Sequence, residues 1–265
     1  MTTHTVTART LPRRRPLAAL ATLTRVETTL LLREPAAVGF TLALPLVLLL
    51  LNSSAGNTPN PRFGGAATID VLMAGYLVYV MSTSAIMGLG ETLADYRDRG
   101  ILRRLRITPL RPWQILTSHA LTHLAMTAIG VGLLIGVGSA IADLSLPRSI
   151  GATLLALVVS ACAMIAFGFL LGAVLPTVRT TQAVAAAIYF PAIFVSGALF
   201  PREALPAFAQ RVGDFLPMTY AVRSIRQAWT EGTIDWFSLG VLAGTAVLLA
   251  AIAVRMFRWE PRSAG

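Results

Sequence analysis

Residues 150–175 read IGATLLALVVSACAMIAFGFLLGAVL, twenty-six consecutive positions without a charged side chain. As an α-helix this run extends about 39 Å at 1.5 Å per residue, more than the roughly 30 Å of a bilayer's hydrocarbon core. Lipid offers backbone N–H and C=O groups no partner, so a run of this kind crosses as a helix that satisfies its own hydrogen bonds. Comparable runs fall at about 36–51, 69–90, 114–141, 181–200 and 236–257. The first is short and contains Pro45, and the turn-rich stretch NSSAGNTPNPRFGG, 52–65, separates it from the second. The expected fold is an all-α integral membrane protein with six transmembrane helices. Composition agrees, since 13% of residues are charged and 55% hydrophobic, against about a quarter charged in soluble domains.

The net charge of +10 comes from 22 basic residues, every one an arginine. Without lysine, a phosphate-binding loop of the GxxxxGK[ST] type cannot be built. If ATP drives this protein, another polypeptide binds the nucleotide. Nucleic acid is excluded as a partner, because the arginines lie between apolar runs with no aromatic–basic platform or zinc module beside them. Their placement instead predicts sidedness. With the N-terminus inside, segments 1–35, 91–113, 176–180 and 255–265 hold 16 of the 22, and the opposite side holds Arg62, Arg148, Arg202, Arg211, Arg223 and Arg226. Such a bias places both termini in the cytoplasm. The chain then divides into a cytoplasmic N-terminal tail and amphipathic helix (1–35), a transmembrane domain (36–257) and a cytoplasmic C-terminal tail (258–265).

Two segments outside the spans carry helical patterns. Leu17, Leu20, Leu23, Val26 and Leu30 recur every three or four positions before Pro35, as in an amphipathic helix along the inner membrane surface. In the external connection 201–235, Leu205, Phe208, Val212 and Phe215 share one face, and Val222, Ile225 and Trp229 share another after Pro217. Two short half-buried helices packed on the end of the bundle are expected, with Asp235 capping the last span. Small residues four apart (Gly132/Gly136, Gly168/Gly172, Ala183/Ala187, Gly240/Gly244) permit close helix crossings, chiefly within one subunit.

The segment RDRGILRRLRITPLRP, 97–112, holds six arginines between two apolar runs. Ile101, Leu102 and Leu105 fall on one side of a short helix, with Arg99, Arg103, Arg104 and Arg106 around them; Gly100 loosens its entry and Pro109 ends it. One explanation is topology together with lipid phosphate, the leucines dipping into the interface. The other is a docking helix with an apolar ridge that grips a cytoplasmic partner and arginines matched by acidic residues.

The stretch DRGILRRLRITPLRPWQIL, 98–116, resembles the cytoplasmic loop of the membrane subunits of type-2 ABC exporters, where an acidic residue, a glycine, a basic leucine-containing helix and Thr-Pro precede the next span. SGALFPREALPAFAQRVGDFLPMTYAVRSIRQAWTEG, 196–232, resembles the external segment of the same family, and the likeness is greatest to its drug-resistance branch of daunorubicin-exporter-like permeases. The resemblance implies that Asp98, Gly100, Leu102, Arg103, Arg104, Leu105, Thr108 and Pro109 form a coupling helix seated in an ATP-binding-cassette subunit, with Ile101, where the family usually has threonine, on its ridge. It also implies a homodimer, or a pseudo-dimer with a similar permease, in a bacterial cytoplasmic (inner) membrane. This chain would bind no cofactor, and ATP and Mg2+ would be held by the partner. The expected activity is export of hydrophobic or amphipathic compounds such as a drug, an antibiotic or a lipid-linked molecule. The alternatives are an ion-gradient-driven secondary transporter, which would want mid-span carboxylates, and a non-transporting scaffold or immunity protein.

Among other residues, Glu91 lies nearest the hydrocarbon and needs a partner, expected to be an arginine of the N-terminal helix or of the loop; its role is structural or in gating. Tyr76, Tyr79, Gln182 and Tyr189 either line a route for substrate or satisfy one another between helices. His119 and His123 have ligand spacing, but the rest of an H-E-x-x-H helix is absent, so hydrogen bonding between helices or interfacial placement is expected, with substrate contact the alternative, and no metal site is assigned. Cys162, alone in an apolar run, offers no disulfide framework. No Ser/His/Asp or paired-carboxylate arrangement suggests an enzyme.

Overall fold

A computed structural model describes residues 16–32, 35–55, 58–100 and 112–256. Regular structure among these residues is helical, apart from an isolated bridge between Pro59 and Ala67. The helices are α1 (Pro16–Leu32), α2 (Pro35–Asn52), α3 (Thr68–Ser82), a π-helical segment (Thr83–Leu89), α4 (Gly90–Asp98), α5 (Pro112–Ile141), α6 (Ile150–Val174), α7 (Val178–Val195), α8 (Ala207–Gly213), α9 (Pro217–Thr230) and α10 (Trp236–Met256).

Among the described residues, five helices are long and apolar enough to cross a membrane: Thr68–Asp98, Leu116–Ile141, Ile150–Val174, Val178–Val195 and Trp236–Met256. The sixth expected span corresponds to α2, whose apolar stretch Thr41–Asn52 is shorter than these. Large apolar side chains such as Leu133, Leu154, Val158, Val247 and Val254 point away from the bundle and are exposed. An outward face of this kind is stable where the solvent is hydrocarbon, and the molecule is a multi-pass membrane protein.

One helix lies at the centre. The most apolar window of Thr68–Asp98 is 89% buried, whereas those of the other four spans are between 22% and 44% buried. α2, α5, α6, α7 and α9 all pack around its length. α10 runs along α6, and α1 lies against α5. The sequence pattern ends this span near residue 90, but the helix continues to Asp98 through ETLADYRD. Backbone bonding carries it on, because its polar side chains find partners on neighbouring helices.

The end of the bundle remote from Asp98 is held by polar contacts. Asp143 adopts a left-handed conformation (φ 49°) just past the end of α5. In the turn that follows, Asp70 Oδ1 accepts from the Ser145 amide at 3.1 Å. Trp229 Nε1 donates to the Ser145 carbonyl at 3.1 Å. The expected face of α9 is present, with Val222, Ile225 and Trp229 buried. Asp235 caps α10 through the Ser238 amide at 3.0 Å and the Ser238 hydroxyl at 2.5 Å. Burial pushes the Asp235 carboxyl up, but the bonds from the Ser238 hydroxyl and amide outweigh it and hold it below the usual carboxylate range.

The other face expected in the 201–235 connection is corrected. Phe208 is 73% exposed and Phe215 88% exposed, and Val212 is also exposed. α8 packs instead through Ala209 and Gly213, which are buried. A Cβ on Gly213 would stand 2.5 Å from the Val195 carbonyl oxygen, so only the small face fits against α7 and the aromatic face turns outward. Arg202 and Asp214 close this cap with an ion pair of 2.6 Å.

Candidate functional site

The last turn of α4, immediately before the arginine-rich segment, touches four other helices. It ends because Gly100 takes a left-handed conformation (φ 66°), its amide bonding back to the Arg97 carbonyl at 3.0 Å. Tyr96 donates its hydroxyl to Glu27 Oε1 on α1 at 2.7 Å. Its ring meets His119 of α5 edge to face, centroids 4.7 Å apart. Arg97, only 5% exposed, donates through Nη1 to the Gly172 carbonyl at 3.0 Å and through Nη2 to the Leu175 carbonyl, at the end of α6. Asp98 Oδ2 accepts the Val178 amide, the first of α7, at 3.0 Å.

These pairings follow from helix-end chemistry. The last carbonyls of a helix and the first amides of the next have no intrahelical partner, and they carry partial negative and positive charge. Arg97 and Asp98 supply the complementary charge to the two ends flanking one turn, Leu175–Thr177. The outer face of the same turn carries an exposed Asp95–Arg99 pair at 2.8 Å, which contributes little.

Behind this turn the central helix meets α6 almost backbone to backbone. A Cβ on Gly168 would lie 2.0 Å from the Ala85 carbonyl oxygen, and one on Gly172 would lie 2.8 Å from Leu93 Cβ. The π-helical segment Thr83–Leu89 sits at this crossing. Thr83 Oγ1 bonds the Tyr79 carbonyl at 2.8 Å and pairs with the Tyr189 hydroxyl at 2.5 Å. Ser84 Oγ lies 3.1 Å from His123 Nδ1. Single π-helical turns inside longer helices recur where a helix bends or works.

Residues 18–229 match the ABC-2 type transporter family. The chain belongs to that family. ABC-2 type chains are membrane transport subunits rather than enzymes. Among curated proteins, this chain is similar to the probable multidrug ABC transporter permease YbhR of Escherichia coli K12, 23% identical over 186 residues, which are 69% of this chain and 50% of that protein. It is also similar to ABC transporter G family member 20 of Dictyostelium discoideum, 24% identical over 241 residues, 87% of this chain and 33% of that protein. A third, YhgE of Bacillus subtilis, is 38% identical over 64 residues, 23% of this chain and 8% of that protein. The chain thus spans about half the length of the first of these relatives.

In this ABC-2 type chain, the structure brings Asp98 and Gly100 to the end of the central helix; Ile101, Leu102, Arg103, Arg104, Leu105, Thr108 and Pro109 lie outside the described residues. Glu91 is paired differently from the expectation. It accepts from Gln182 Nε2 at 2.5 Å, because α4 packs against α7 at that level. Tyr76, Tyr79 and Tyr189 do not line an open route within the subunit: each is at most 1% exposed. The Tyr76 hydroxyl accepts from Asn52 at 3.3 Å, and Tyr79 meets Tyr189 edge to face at 6.2 Å. Gln182 is exposed. Of the small-residue pairs, Gly168/Gly172 makes a tight crossing, while Gly132, Gly136, Gly240 and Gly244 face no atom within 4 Å.

Sequence reading missed Arg97 and Tyr96. Arg97 reads only as one more arginine of segment 97–112, and nothing in its spacing tells a buried cap from an exposed charge. A weak signal exists: it directly follows a helix-continuing tyrosine and precedes an acidic residue, a pairing suited to two opposite helix ends.

Proposed function

We propose that this chain is the membrane subunit of an ATP-driven exporter of hydrophobic or amphipathic compounds. It works as a homodimer, or a pseudo-dimer with a similar permease, above two ATP-binding subunits. α2 serves as the sixth span, both termini lie in the cytoplasm, and the membrane is the bacterial inner one. Segment 98–109 seats in the ATP-binding subunit, which holds ATP and Mg2+ and carries out hydrolysis. The permease supplies the path and a two-state element that nucleotide biases. The likeness to a relative named a multidrug permease supports the drug-resistance branch, with a drug, an antibiotic or a lipid-linked molecule as cargo.

The observation carrying this reading is the continuity of the central helix with the arginine-rich segment. A helix whose apolar window is 89% buried, with five neighbours around it, leads directly into residues 98–109. Force applied to that segment enters the bundle at its most connected element. Interior packing is dense and barely compressible, so the displacement passes on to the neighbours.

The test is a loop variant that leaves the bundle untouched. Leu105→Ala removes an apolar anchor worth about 1–3 kcal/mol if buried in the partner. Arg103→Glu and Arg104→Glu set like charges against an acidic cleft. The triple variant should insert and remain monodisperse in detergent, yet lose co-purification with the ATP-binding subunit, and export with it. Unchanged association and export by a folded, correctly oriented triple variant would refute the coupling assignment.

A further inference from the structure

We infer that Arg97 is a positioning residue that locks the α6–α7 turn to the end of the central helix, so that displacement of segment 98–109 carries α4, α6 and α7 together as one body. The inference rests on the reading of 98–109 as the ATPase contact and adds the route by which displacement leaves the central helix.

Arg97 is buried, and a buried guanidinium is stable only where its donors are satisfied. It meets two carbonyls three residues apart, Gly172 and Leu175, which the planar fork of arginine can span and the point charge of lysine cannot. Those carbonyls form the negative end of α6, so charge and hydrogen bonding act in the same direction. The adjoining Asp98 holds the first amide of α7, and the two side chains grip the same turn from both sides. The glycine contacts above it leave no slack. Gly172 already has Leu93 Cβ within 2.8 Å of its own Cβ position, and Gly90 has the Gly168 carbonyl oxygen within 3.3 Å. α4 cannot slide along α6 without breaking the Arg97 bonds or colliding with backbone.

The test uses the full chain purified with its ATP-binding partner in nanodiscs, in a Cys162→Ala background. Spin-label pairs are placed at Arg99 and Leu121, on α5 outside the proposed body, and at Arg99 and Arg179, all exposed positions. The probe is MgATP with vanadate. In the otherwise native chain the 99–121 distance should change by at least about 2 Å, the scale of an interface helix shift, while the 99–179 distance stays constant. In Arg97→Gln the 99–179 distance should become nucleotide-dependent, with Arg97→Lys in between. A 99–179 distance that responds to nucleotide in the native chain, or stays constant in Arg97→Gln, overturns the inference. No response of 99–121 in the native chain overturns the coupling reading instead. A cysteine pair at Gly90 and Leu171, whose Cβ positions are 3.5 Å apart, suits a disulfide and covers the case in which Arg97→Gln fails to fold. Oxidation should leave the 99–121 response intact, and a response abolished by oxidation and restored by reduction also overturns the inference.

Discussion

Gly168→Ala adds a single methyl group, yet the crossing of α6 with the π-helical segment has no room for it. The new Cβ would lie 2.0 Å from the Ala85 carbonyl oxygen and 2.9 Å from its carbon, both backbone atoms. Reaching even 3.0 Å, a separation that real Cβ atoms scarcely go below, requires about 1 Å of movement of one helix relative to the other. That movement would strain the neighbouring contacts of Gly90 and Gly172 along the same seam. Overpacking of this kind costs about 1–3 kcal/mol, whereas the helix propensity gained by replacing glycine with alanine offsets at most about 1 kcal/mol. Gly240→Ala is the matched control, since its Cβ meets nothing within 4 Å and the propensity gain stands alone. Both variants would be heated in detergent and scored by the fraction remaining monodisperse. Gly168→Ala should melt several degrees below the native chain and Gly240→Ala at or slightly above it. Equal midpoints for the two variants would show that α6 and the central helix do not meet backbone to backbone.

Asp235→Ala should destabilise α10 toward the lower part of the about 0.5–2 kcal/mol typical of lost N-caps, since the carboxylate is partly exposed. Because the carboxyl is held below the usual range in the fold, its contribution is present above about pH 4 and disappears as pH falls through the folded value. Thermal midpoints of native and variant chains should therefore converge on acidification, and a gap that widens would contradict the cap. Phe215→Asp should leave the subunit's melting within about 0.5 kcal/mol of native, as expected of an exposed position; failure to fold would mean that the ring is covered. For orientation, single cysteines at Asn57 and Gln210 in a Cys162→Ala background should react with an impermeant thiol reagent in intact cells, and one at Ser263 should not. The reverse pattern would invert the assigned topology.

The sequence by itself determined the solvent and the element type. Long uncharged runs leave no structure but a helix in hydrocarbon, and arginine placement and the absence of lysine decide which chemistry is excluded before any contact is known. The caps were also legible: Asp235 does what its position before Trp236 predicts, and the apolar face of α9 is buried as its spacing requires. These features are local, set by residues a few positions apart. Which helix is central was not legible, because in lipid both buried and outward faces are apolar and periodicity no longer marks the core. Only packing shows that Thr68–Asp98 is enclosed while three helices of higher mean hydropathy face outward. A different reason misplaced Phe208 and Phe215: an apolar stripe was visible, but the glycine and alanine face of α8 fits closest against α7. Arg97 is the sharpest case. Its partners, Gly172 and Leu175, are backbone carbonyls about 75 residues away, and a carbonyl has no letter in the sequence. Only the meeting of one helix end with another decided that this arginine is buried while its neighbour Arg99 is exposed.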